Sequence, residues 1–189
     1  MNHKILKRLL GGMGLLIFIV AMLIYCSPYG QQGGIGRRVI VKSILIKTPI
    51  KNLYQYLGNS ANARKWSVFV EKIIPINQDG KKDGELGSKR RCFGKDNDIV
   101  WDEEIVAIEE FKRRELSVFN AKGFMTMVDD LRTEQLYESV NADQTKLSLT
   151  LYFEKEQNCF DELKMYLAAY EIGKIFQLNL QNIKYYNES

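Results

Sequence analysis

The side chains in this 189-residue chain best suited to chemistry are acids set side by side, Asp102-Glu103-Glu104 and Asp129-Asp130. Both groups sit in stretches where apolar and polar residues alternate, as in a strand. Strand neighbours point to opposite faces, so at least one acid in each group turns inward or toward an edge. Glu103 shares its parity with Trp101 and Ile105, and Asp129 with Met127 and Leu131. These two are the inward acids and the only catalytic candidates. An enclosed carboxylate with a raised pKa can act as a general acid or base. The ordinary alternative is that the acids pair with Arg90, Arg91 or Arg132 across a sheet.

Other chemistries are excluded by residue type. The one histidine, His3, precedes the domain, which removes Ser-His-Asp and Cys-His catalysis and every histidine metal site there. Cys26, Cys92 and Cys159 include no CxxC pair, too few thiols for a zinc or iron–sulfur cage, so no metal and no cofactor is expected. Cys92 and Cys159 are either two buried free thiols or, in an oxidising compartment, one disulfide. From residue 27 onward 24 Lys and Arg face 23 Asp and Glu. Asp79 to Asp98 carries six cations but also five acids, a mixed solvated surface and not a phosphate-binding stripe. Nucleic acid is not an expected partner. Gly80, Gly84 and Gly87 are spaced like turns, and no Lys-Ser/Thr follows them as in a phosphate loop.

Leu9 to Cys26, LLGGMGLLIFIVAMLIYC, is uncharged and follows Lys4, Lys7 and Arg8. As a helix it would cover roughly 27 Å, close to the hydrocarbon thickness of a bilayer. It reads as an uncleaved signal anchor. A cleaved signal would want small residues where Ile24, Tyr25 and Cys26 stand, and lipidation of Cys26 would want a small residue at Tyr25. The positive-inside rule puts residues 1–8 in the cytoplasm and the domain outside. Residues 27–36, SPYGQQGGIG, read as a flexible linker. Residues 37–189 form one soluble domain.

That domain opens with a strand over Arg38 to Lys47. Thr48-Pro49 then predicts a helix start, with Thr48 as cap and Pro49 in the first helical position. Ile50, Leu53, Tyr54 and Leu57 form its apolar stripe, and a short helix follows over Ala61 to Trp66. The period then changes to two. Six strands are predicted, at 68–75, 87–93, 99–108, 113–119, 125–137 and 146–153, joined by short turns that make them an antiparallel meander. A long helix from Cys159 to about Tyr185 closes the chain, capped by Asn158. Its expected inner face holds Leu163, Tyr166, Leu167, Tyr170, Gly173, Phe176, Leu180 and Ile183.

This order, with VKSILIKTPIKNLYQYLGN, NARKW, GSKRRC, VWDEEIVAIE before RRELSVF, TKLSLTLYFE and the closing LQNIKYY, resembles the START-like (SRPBCC) superfamily and its polyketide cyclase/dehydrase and lipid transport group. The resemblance spans nearly all of Arg38 to Glu188. It implies an α+β helix-grip fold, a curved seven-stranded antiparallel sheet wrapped on the C-terminal helix with a pocket between them. It also implies binding of a hydrophobic small molecule or lipid, with cyclisation or dehydration in some members. Trp66, Phe93, Trp101, Phe119, Phe124, Met127, Tyr166, Tyr170 and Phe176 are the candidate pocket residues, each equally suited to a packed core. A collapsed pocket would leave a membrane-tethered protein-interaction module.

Overall fold

The computed structural model describes residues 3–31, 38–77, 80–95, 98–124, 131–153 and 158–188, with the side chains of 3–9 and 31 left aside. Elements follow in the order α1 (His3–Tyr25), β1 (Gly30–Gln31), β2 (Arg38–Ile46), α2 (Ile50–Gly58), a 3-10 turn (Ser60–Asn62) and α3 (Ala63–Trp66). The rest are β3 (Val70–Pro75), β4 (Lys89–Gly94), β5 (Val100–Glu109), β6 (Arg113–Lys122), β7 (Leu131–Asn141), β8 (Gln144–Phe153) and α4 (Cys159–Glu188).

The strands form one antiparallel sheet in the order β1-β2-β8-β7-β6-β5-β4-β3. Seven are the expected strands, and the short β1 extends the β2 edge. β2 reaches its partner β8 across the whole domain, whereas β3 to β8 are joined by hairpins that pair neighbours in sequence. Register shifts interrupt β3, β5 and β7, and bulges of this kind bend strands. Alternation decides what faces the helix. In β6, Arg114, Leu116 and Val118 are buried, while Glu115, Ser117 and Phe119 between them are only half-buried.

α4 crosses the inner face and is packed at both ends. Met165 and Ala169 near its start belong to one core cluster with Ile40, Trp101 and Phe153. Leu180 and Ile183 near its end meet Ile46, Leu53 and Leu147. Asn158 caps the helix by accepting from the Phe160 amide at 2.9 Å. The buried face is rotated from the expected one: Met165, Ala169, Gly173, Asn179, Leu180 and Ile183 are inside, whereas Leu167 faces out. Gly173 opens no space for a ligand; a side chain there would meet Lys42 and Pro28.

Three more expectations change. Thr48 does not cap α2. Pro49 occupies the cap position, and the Thr48 hydroxyl donates instead to the Asn187 carbonyl at 2.6 Å, pinning the end of α4. Cys159 is exposed rather than buried, and Cys92 is buried; both are free thiols. Of the linker expected over residues 27–36, residues 32–36 lie outside the described residues, and 27–31 are docked on the domain. Tyr29 is 3% exposed and sits edge-on to Phe153 and Tyr166, β1 pairs with β2, and the Ser27 hydroxyl donates to the Tyr166 carbonyl. The Tyr170 hydroxyl donates to the Leu23 carbonyl at 2.8 Å, so the end of α1 also rests on α4. Among the described residues no helix is long and apolar enough to cross a membrane.

Candidate functional site

A cavity of about 210 Å³ lies where the two core clusters meet, between the inner sheet face and α4. The hairpin strands supply Arg90, Trp101, Glu103, Leu116, Val118 and Gln135. Trp66 and Phe69 come from α3 and the segment after it, Phe124 from beyond β6, and Phe176 and Asn179 from α4. Two anchors hold the helix over the opening: the Asn179 side-chain carbonyl accepts from the Val68 amide at 2.8 Å, and the Asn182 amide donates to the Trp66 carbonyl at 3.1 Å.

The walls are mostly aromatic and aliphatic. Phe69, Trp101 and Phe124 lie with ring centroids 5.4 to 5.8 Å apart. A charged pair interrupts them. Arg90 and Glu103 are cross-strand partners on β4 and β5, with Arg90 Nε and Nη2 at 2.7 and 2.6 Å from Glu103 Oε2. The Trp101 indole donates to Glu103 Oε1 at 2.8 Å. Burial disfavours the Arg90 cation, but the neighbouring groups together, Glu103 foremost, outweigh that and raise its pKa. Both charges are therefore kept inside by each other, and Glu103 meets donors on both oxygens. Trp66 also lines the cavity, and its indole N–H is buried without a partner among the described residues.

A second polar group stands behind another part of the wall, where Gln135 lines the cavity. Arg114 is 4% exposed and forms no ion pair among the described residues. Its guanidinium lies 4.4 Å from the centre of the Tyr54 ring, and its Nη1 donates to Gln135 Oε1 at 3.2 Å and to the Tyr137 hydroxyl at 3.4 Å. The Tyr137 hydroxyl donates to the same Gln135 oxygen at 2.7 Å. Burial pushes the Tyr137 phenol up, so it stays neutral.

Trp66, Trp101, Phe124, Phe176 and Glu103 are thus brought together around one hollow. Phe93 and Phe119 do not line it; each is half-buried and out of step with the inward residues of its strand. Tyr166 packs on Tyr29, and Tyr170 binds α1. Met127 and Asp129 lie outside the described residues. Asp102, of opposite parity to Glu103, is bound by Arg91 at 2.8 and 3.0 Å and by Asn120 at 2.9 Å. Arg91 first, and Asn120 with it, hold its carboxyl below the usual range. Sequence reasoning missed Arg90 and Gln135 as wall residues; the parity of Cys92 on β4 and of Leu131 and Tyr137 on β7 carried that signal.

No family model and no curated protein matches the chain. Solved structures do. The Zhui aromatase/cyclase from Streptomyces sp. R1128 superposes with a TM-score of 0.62 at 14% identity, over 80% of this chain and 94% of that one. Major latex-like protein 151 from Panax ginseng gives 0.61 at 13%, over 80% and 97%. Aha1 from Colwellia psychrerythraea gives 0.54 at 17%, over 79% and 96%. These likenesses show the fold alone: a helix grip, shared here by an aromatase/cyclase, a latex-like protein and a dimeric Aha1.

Proposed function

We propose that this helix-grip chain binds a hydrophobic small molecule in the cavity beneath α4, while α1 holds it at a membrane. The carrying observation is an apolar hollow kept open inside an otherwise packed domain, with a small number of polar groups in its wall. That combination is what small-molecule sites have in common. Its size favours a compact ligand. An apolar cavity of about 150 Å³ takes up benzene, so about 210 Å³ suits one or two rings better than a whole two-chain lipid. The neighbouring folds agree, since an aromatase/cyclase is among them. Acid–base catalysis is the less favoured reading, because Glu103 would have to leave both Arg90 and Trp101 to act.

The membrane half of the proposal rests on the uncharged stretch from Leu9 to Cys26 and its basic flank. The large apolar side chains described in α1 stand exposed around the helix, Phe18 at 62% among them, which water would penalise and lipid would not.

Two measurements test this. The full chain in mild detergent should take up a polarity-sensitive hydrophobic dye in a one-to-one ratio. Val118→Trp, which fills the hollow, should abolish that uptake and leave the far-UV circular dichroism unchanged; no uptake by the wild-type chain would sink the binding half. The expressed chain should stay in the membrane pellet through an alkaline carbonate wash, and release by that wash would sink the anchor.

A further inference from the structure

The orientation of one buried amide defines what kind of ligand the cavity prefers. Gln135 is 8% exposed and lines the hollow, four residues along β7 from Leu131, or about 13 Å of strand. Leu131 is next to Val118, and Val118 is next to Glu103. Gln135 and the Arg90–Glu103 pair therefore occupy different ends of the wall.

Which way the amide faces follows from its neighbours. Arginine can only donate. Arg114 Nη1 donates to one side of the Gln135 amide, so that side must be the carbonyl oxygen, and the Tyr137 hydroxyl donates to the same atom. A flipped amide would set N–H against N–H. The guanidinium is itself fixed, stacked on Tyr54 and pressed against Gly58, where any side chain would meet Nη2. The Gln135 amino group is thereby turned away from Arg114 and Tyr137, and it bonds nothing among the described residues.

We infer that Gln135 Nε2 is the hydrogen-bond donor for an uncharged carbonyl oxygen on a compact one- or two-ring ligand, with Arg114 as the positioning residue. This rests on the cavity-binding reading above. A carboxylate fits less well. Arg90 is already neutralised by Glu103, Arg114 stands behind Gln135, and one amide does not repay the burial of a full charge. A purely apolar ligand would leave the amino group buried and unpaired, which costs affinity.

The probes are 2-acetylnaphthalene and 2-isopropenylnaphthalene, which share a shape but differ by oxygen against methylene. Equilibrium dialysis of the full chain in lipid nanodiscs, with empty nanodiscs subtracting bilayer partition, measures Kd for both. The ketone should bind the wild-type chain roughly tenfold more tightly. Gln135→Leu should erase that preference and leave the Kd of the alkene within about twofold. Gln135→Glu, of nearly the same shape and paired with Arg114, should erase it too, and Arg114→Met should weaken it. Equal binding of both probes by the wild type would overturn the inference while leaving the cavity reading intact. A preference that survives in both Gln135 variants would also overturn it. Binding of neither probe would remove the cavity reading and this inference together.

Discussion

At the scale of single residues, the Arg90–Glu103 pair tests how far the cavity wall depends on charge. Arg90→Leu and Glu103→Leu each leave the other charge enclosed with no counter-charge, and each should cost about 2–3 kcal/mol in urea unfolding. The double variant should recover most of that loss, because two apolar residues can replace a buried pair at little cost. Additive losses would mean that the charges act independently. Asp102 gives a pH dependence of known sign. Its folded pKa lies below the unfolded value, so its contribution is fully present above the unfolded pKa and is lost as pH falls through the folded one. Asp102→Asn should therefore flatten the fall in stability below about pH 4, read as melting temperature against pH. Arg91 is half-exposed, which keeps the effect small. Much of this was legible in advance: parity alone set Glu103 and Asp102 on opposite faces of the sheet, though not that Arg91 and Asn120 bury Asp102 on its own face. Parity places Phe119 on the face away from the cavity, although its aromatic side chain is of the kind that suits a pocket. Gln135 carried no compositional signal, because an amide between Glu134 and Leu136 looks like any solvated strand residue until its arginine is located.

At the scale of elements, the segment after α1 is a strap built on one side chain. Tyr29 lies against Phe153 and Tyr166, and Arg38 sits over both tyrosine rings while it pairs with Glu162 at 2.9 Å. Tyr29→Ala should cost about 3 kcal/mol by analogy with buried aromatic truncations. It should also open the segment to limited proteolysis, and unchanged protease resistance would argue against the strap. In α4, Gly173→Ala should stabilise by about 0.5–1 kcal/mol. The added methyl would meet Lys42 and Pro28 at 3.4 and 3.6 Å, ordinary contact distances, and chemical denaturation measures the gain. Apart from β1, which lies in residues that read as linker, the existence, type and chain order of the strands and longer helices were readable from period and turn residues. The rotation of α4 was not, because Tyr and Leu recur on several of its sides and only packing chooses among them. Thr48 misled for a related reason: a hydroxyl before proline fits a helix cap, yet the Asn187 carbonyl at the far end of the chain took it.

At the scale of the whole molecule, the order of strands was the least legible feature. Six of them follow one another as hairpins, but β2 belongs beside β8, and no local signal announces a pairing between distant segments. That pairing bears on kinetics. Arg38 lies opposite Phe153 and Ile46 opposite Thr145, separations of 115 and 99 residues. Closing a loop of that length is entropically costly before any contact rewards it. Refolding followed by stopped flow should therefore take milliseconds to seconds, and a microsecond phase carrying the full amplitude would contradict the register. During synthesis β2 must wait, with the border that faces β8 unpaired, until almost everything downstream has left the ribosome. If α1 engages a lipid surface as proposed, the nascent chain would spend that interval apart from its freely diffusing neighbours, shielded from the edge-to-edge aggregation that such a delay invites.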